Sequence, residues 1–485
     1  MTTHERVCDH ASNPSRSRVS SRVGSAYLLL MTTVLFFACH KPSAAEFIST
    51  KAPLLALTHI RVIDGTGAPA IDDQVIVIES GRIKSIVSSK VPLPEGAKEI
   101  NLTGRTAIPG LVGMHEHLFY TTDAGKRDVA ANVSFARLYL ASGVTTIRTG
   151  GTLSLENDQT TKSQIENGEW AGPKIHLTSP YINHRVGESL PRQQLAEQID
   201  DWSNQGVTSF KIYTNISRAE LDAVVTAAHK RGLKVTGHLC AVGFREAALL
   251  GIDNLEHGLV VDTEFYSGKT TDQCPNRSDW LPGLARIDVM SAPVQQMIRE
   301  LVSHGVAVTS TLPVFETFIG ERFHIDPRMQ YALTPGAYTS CLSQIERDKQ
   351  DPRWAKVWEM ALKKEMQFER EFVRAGGLLM AGVDPTGWGG VIAGFGDQRG
   401  IELLAEAGFT PLEAIRIATL NGALFLGEAN RIGTLTAGKQ ADIVIIRGNP
   451  ASNISDIRNV EIVFKDGVGY DSAKLITSVN GLVGE

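Results

Sequence analysis

A chain of 485 residues is long enough for one large α/β domain and a smaller companion. With 42% hydrophobic and 21% charged residues, it has the make-up of a folded globular protein, which excludes disorder as its main state. The formal charge of −5, from 53 acidic and 48 basic residues, gives no broad electrostatic reason to bind nucleic acid or an anionic membrane.

The first segment reads as a leader. An arginine-rich stretch without acids, "SRSRVSSRVGS", precedes an apolar core of about a dozen residues, too short for a membrane span of roughly 20. Ser43, Ala44 and Ala45 offer the small residues that a signal peptidase reads, so residues 1–45 are assigned to a signal peptide and export is expected. Cys39 leaves lipid anchoring open as an alternative, although Phe36 and Phe37 fit the usual lipoprotein pattern poorly. Beyond the leader remain Cys240, Cys274 and Cys341; an oxidising compartment allows one pair, and Cys274 with Cys341 is expected because both fall in loop-like insertions. Free thiols remain the alternative.

From residue 46 to 108 the pattern is strand-like, with "LALTHIRVID" and "DDQVIVIESGRIKSI" broken by Gly, Asp and Pro. The stretch 429–485 repeats that style, so the two ends are expected to combine into one small β-sandwich domain. Between them, residues 109–428 alternate. Eight short apolar runs, from "GLVGMHEH" to "GLLMAGVDP", are separated by helix-like stretches such as "RAELDAVVTAAHKRG". Continuous apolar runs suit strands covered on both faces, and eight of them with helical crossovers predict a (β/α)8 TIM barrel of the α/β class. An open doubly wound sheet is the alternative. Two intervals, 261–300 and 313–365, are too long for simple connections and are expected to cap the barrel mouth.

In a barrel, reactive groups gather at the C-terminal strand ends. Reading those ends in order gives His115, His117, Lys211, His238, His257 and Asp384. Alternate residues of a strand share a face, so His115 and His117 can point together and chelate one ion while Glu116 points away. His238, His257 and Asp384 singly are plausible capping or buried hydrogen-bonded residues, but with the histidine pair, on strands one, five, six and eight, they are hard to explain as structure; Lys211, ending an apolar strand, either snorkels to water or serves chemistry.

The spread of these residues, with "IPGLVGMHEH" and the closing "TPLEAIRIATLNGALFLG" and "GTLTAGKQADIVII", resembles the amidohydrolase superfamily of metal-dependent hydrolases. Lys211 followed by Ile212 and Tyr213 is further similar to its prolidase-like, imidazolonepropionase-related branch. The resemblance implies two divalent ions, most simply Zn2+, with His115, His117 and Asp384 on one, His238 and His257 on the other, and a Lys211 carboxylated by CO2 bridging them. It implies hydrolysis of an amide or peptide bond in an N-acyl amino acid, dipeptide or aryl amide, with Asp384 as general base and acid. His184 would touch substrate and Tyr213 would face the developing oxyanion, while Arg148 and Arg185 could grip a carboxylate or form internal salt bridges. Two other readings stay open: a mononuclear cyclic-amide hydrolase or deaminase, and a non-catalytic binding protein on the same barrel. Oligomeric state is not legible. One departure is plain, because relatives commonly carry Asp where this chain has Gly113, so the ligand histidines must be oriented from elsewhere.

Overall fold

A computed structural model describes residues 43–121, 127–128, 131–184, 187–323 and 325–484. Cys39, Arg185 and the leader up to residue 42 lie outside the described residues. No helix among the described residues is long and apolar enough to cross a membrane.

Both ends of the chain contribute to one nine-stranded sheet. Ile443–Arg447, an almost unbroken β-branched run, pairs antiparallel with Arg105–Pro109, and Ile48–Thr50 pairs with Val468–Asp471. Leu55, Leu57, Ile76, Ile443, Ile445 and Phe464, all with negligible exposure, form its apolar face. Strands from both ends therefore lie in one sheet, which leaves the expected β-sandwich plausible.

All eight apolar runs of the middle form parallel strands. Leu111–Glu116, Val144–Thr149 and Lys174–His176 make a three-stranded sheet. Ser209–Ile212, Lys234–Gly237, Asn254–Glu256, Ala307–Ser310 and Leu379–Ala381 make a five-stranded one. The strands are short, and among the described residues they form two sheets rather than one continuous closed ladder. The seams are nevertheless bonded: Thr178 bridges Ser209 and Ile182 bridges Ile212 on one side. On the other, the Val383 and Asp384 N–H groups donate to the His115 carbonyl at 3.3 and 2.9 Å. Within each sheet the order follows the chain without a reversal, so there is no topological switch point of the kind a doubly wound sheet requires.

Helices separate most of these strands. Arg218–Lys230 begins at Ser217, whose side chain accepts from the Glu220 N–H while Glu220 reaches back, a reciprocal cap that fixes the helix start. In the second long interval lies Pro352–Arg374, capped by Asp351, with Trp358, Leu362, Glu365, Glu369 and Phe372 buried along one stripe. Two acids in an apolar stripe are unusual. Glu365 accepts from the Val260 N–H at 2.7 Å and packs against Gly258, so the turn after His257 rests on this helix. Gly258 has a positive φ of 66° and no room for a side chain, which is why glycine stands there.

The expected disulfide is corrected. Cys274 pairs with Cys240, their Cα atoms 5.0 Å apart, whereas Cys341 is buried outside this disulfide. Cys341 is not in a loop: it lies in the helix Pro335–Lys349 with its side chain in the core. Cys240 lies three residues beyond the end of the strand Lys234–Gly237, and the segment after His257 folds back to meet it.

Candidate metal centre

The C-terminal strand ends open into a cavity of about 730 Å³ lined by His115, His117, Lys211, Tyr213, His238, His257 and Asp384. His115 and His117 leave the first strand with ring centroids 5.3 Å apart, His115 and His257 are 4.6 Å apart, and His238 and His257 4.4 Å. One Asp384 oxygen lies 3.1 Å from His117 Nε2 and 3.9 Å from His115 Nε2; the other is 4.0 Å from His257 Nε2. His115, His257 and Asp384 present ligand atoms within 4.8 Å of one another, a spacing that one ion could span. His257 and Asp384 both have positive φ, 70° and 49°, a conformation that is costly for these residues and is held here by the surrounding packing.

Burial, then the nearby Lys211 charge, lowers His115 to about 4 and His238 to about 3, so both imidazoles are neutral, the form that binds metal. Burial would raise Asp384, but the His117 hydrogen bond and the neighbouring imidazoles outweigh it and hold the carboxylate well below its usual range. Lys211 is almost wholly buried, and its Nζ has no hydrogen-bond partner. Burial pulls this amine down to about 8 against the opposing pull of Glu256 and Asp384. A buried, easily neutralised amine that makes no hydrogen bond, with its nearest carboxylate contact at 4.0 Å, fits an ion-binding centre better than a structural lysine, which would have its N–H donors satisfied.

What orients the histidines is Glu256, which the sequence reading passed over. The His115 Nδ1–H donates to it at 2.7 Å, which leaves Nε2 directed into the cavity. Arg148 donates to the same carboxylate at 2.6 Å, the Thr236 hydroxyl also donates to it, and Lys211 Nζ is 4.0 Å away. Burial opposes its charge, yet His115, Arg148 and Lys211 hold Glu256 well below the ordinary carboxylate range. Arg148 thus forms an internal salt bridge. A signal was present in the sequence, since Glu256 is a charge inside the apolar run "IDNLEHG". His257 is fixed in turn by Thr311, 2.8 Å from its Nδ1.

The Gly113 question has a physical answer. The register with Val144–Thr149 shifts between Gly113 and Glu116, and the Glu116 carboxyl folds over Gly113. A Cβ built on Gly113 would sit 2.5 Å from Glu116 Oε1. A buried acid therefore occupies the space beside Gly113. Burial, then the Asp397 charge, pushes Glu116 well above the carboxylate range, and burial raises Asp397 to about 7.

Tyr213 lines the cavity with its ring 5.0 Å from that of His238. Burial, then Asp384, raises its hydroxyl pKa, so it stays a donor. His184 does not line the cavity: its Nδ1 is 3.0 Å from Glu220, the residue that caps the helix Arg218–Lys230.

The sequence model of the Amidohydrolase family matches residues 315–469, which include Asp384 and the closing stretch that resembles this group. Over that segment the chain is similar to the Amidohydrolase family. The chain shares its fold with a Xaa-Pro dipeptidase solved with bound methionine in its active site, at a TM-score of 0.65 and 22% identity over 86% of this chain and 100% of that one. Phenylurea hydrolase B aligns at 0.64 and 20% identity over 87% and 98% of the two chains. The ochratoxinase of A. niger aligns at 0.62 and 16% identity over 87% and 96%. No curated protein sequence matches the chain.

Proposed function

We propose that this protein is an amidohydrolase that cleaves an amide or peptide bond with two divalent ions, most simply zinc, and with Lys211 carboxylated between them. The observation that carries the reading is the buried Lys211 Nζ, without a hydrogen bond, among His115, His117, His238, His257 and Asp384. A neutral amine in contact with CO2 becomes a carbamate and releases a proton, which turns a costly buried cation into an anionic oxygen ligand. The two parallel sheets, bonded at both seams, are read as a (β/α)8 barrel whose short strands interrupt the ladder. The resemblance in fold to a dipeptidase and a phenylurea hydrolase supports carbon–nitrogen bond cleavage. Export is retained on the leader, and the Cys240–Cys274 bond fits an oxidising compartment.

In this reading His115, His117 and Asp384 hold one ion, and His238 and His257 the other. Bound ions supply an activated water and polarise the scissile carbonyl. Glu256 fixes the tautomer and direction of His115. Asp384, ionised and beside His117, takes the proton of the attacking water and returns it to the leaving amine. Tyr213, kept protonated, donates a hydrogen bond to the carbonyl oxygen as charge develops on it. His184 is given no chemical step, since Glu220 holds it outside the cavity lining.

The test is a hydrolysis screen over N-acyl amino acids, dipeptides and aryl amides, run with Lys211→Ala. The variant should lose activity by at least about 100-fold, the scale of a lost metal ligand's support, and recover part of it in short carboxylic acids that fill the gap. Full activity of Lys211→Ala would remove the bridging role. A mononuclear centre is favoured by one observation, that His115, His257 and Asp384 form the single close set among the described residues, and metal stoichiometry separates the two.

A further inference from the structure

Two guanidinium groups line the cavity that the proposed hydrolysis does not use, Arg127 and Arg277. Arg277 begins the helix Arg277–Leu284, and its guanidinium lies 5.6 Å from the centre of the Trp358 ring. Other arginines around this segment are neutralised: Arg245 pairs with Glu264 at 2.6 Å and Arg218 with Asp272 at 3.2 Å. Arg277 forms no ion pair with a carboxylate among the described residues. Its charge nevertheless reaches the catalytic end of the cavity, where it acts on both Tyr213 and His238.

The position of Arg277 is tied to the metal centre. Cys274, three residues before it, is bonded to Cys240, two residues after His238. Lys269 adds a second tie, its Nζ donating to the Cys240 and Ala241 carbonyls at 2.7 and 2.9 Å. The segment that carries Arg277 is thus fastened to the same strand end that carries a candidate metal ligand. Beside it, Trp358 stacks on Phe318 at 4.6 Å and on Phe315 at 6.0 Å, an apolar wall within the same cavity.

We propose that Arg277 reads a carboxylate on the substrate, and that the Cys240–Cys274 disulfide is the positioning bond that keeps it over the cavity. The proposal rests on the hydrolase reading and narrows it: the substrate is an acid-bearing amide, an N-acyl amino acid or a dipeptide with an apolar side chain, rather than a neutral aryl amide. A guanidinium without an internal partner offers paired N–H donors in the geometry a carboxylate accepts, and the aromatic wall takes the apolar part.

The test compares amine release from N-acetyl-phenylalanine and from N-acetyl-2-phenylethylamine, which carries the same amide without the carboxylate. The metal-loaded wild type should prefer the acid. Arg277→Gln should lower that preference in kcat/KM by about 10- to 100-fold, through KM rather than kcat, and Arg277→Lys should recover part of it. Cys274→Ser, and mild reduction of the wild type, should shift the preference the same way. An equal effect of Arg277→Gln on both compounds, no acid preference in the wild type, or loss of the preference in Arg127→Gln instead would overturn the role of Arg277. Unchanged preference after both reduction and Cys274→Ser would overturn the role of the disulfide. If the wild type hydrolyses neither compound, the hydrolase reading fails separately. Tryptophan fluorescence titrations with the same pair then decide: tighter binding of the acid that Arg277→Gln abolishes supports the proposal, and equal binding overturns it.

Discussion

At the scale of single residues, the candidate centre depends on groups outside the proposed ligand set. Glu256 gathers His115, Arg148 and Thr236 on one buried carboxylate, so one side chain sets the direction of a ligand and neutralises a buried cation. Gly113 and Glu116 share one small space behind the ligand pair. Gly113→Asp should therefore lose stability by about 1–3 kcal/mol in thermal unfolding, the usual cost of overpacking, with two acids now competing for the same volume. Adding Glu116→Ala should restore part of that loss, a coupling that a double-mutant cycle reads directly. A neutral Gly113→Asp would show that the space is not shared. The six strand-end residues were legible because each stands as a polar group ending an apolar run. Glu256 was not, because its meaning comes from partners on three other strands, which no spacing reveals. Alternation placed Glu116 away from the histidine pair, but the register shift that folds it over Gly113 depends on pairing with Val144–Thr149 and leaves no local mark.

At the scale of elements, the helix Pro352–Arg374 carries two buried acids where an apolar stripe would be more stable. Burial raises Glu369 to about 8, and burial together with Glu369 raises Glu365 well above the carboxylate range. A carboxyl raised in the folded state contributes stability that is complete below its unfolded pKa, near 4.5, and lost as pH rises through about 8. Glu369→Gln should flatten the fall of Tm between pH 6 and 8, removing a slope of at most about 1.4 kcal/mol per pH unit. A variant whose Tm falls as steeply as the wild type would place the titration elsewhere. All eight strand runs of the middle segment were legible from apolar patterning and turn residues, since burial on both faces leaves continuous runs. The cysteine pairing was not. Cys341 looked like a loop residue because the charged stretch around it hides one buried helix face, and Cys240 lies near a strand end, outside the long insertions that the pairing was sought in.

At the scale of the whole molecule, the two ends of the chain close into one sheet while the middle gathers its strand ends around a single cavity. That division leaves the centre built from residues 115 to 384, of which the matched family segment contains only Asp384. The histidines and Lys211 are joined to it by geometry, and the nuclearity of the centre is the claim on which the proposed chemistry turns. The most direct test is the metal content of the active protein, measured by elemental analysis while zinc is titrated into the metal-free chain and amide hydrolysis is followed in parallel. Activity that rises to its plateau only as the content approaches two ions per chain is the result expected here. A plateau reached at one ion per chain would contradict the binuclear centre.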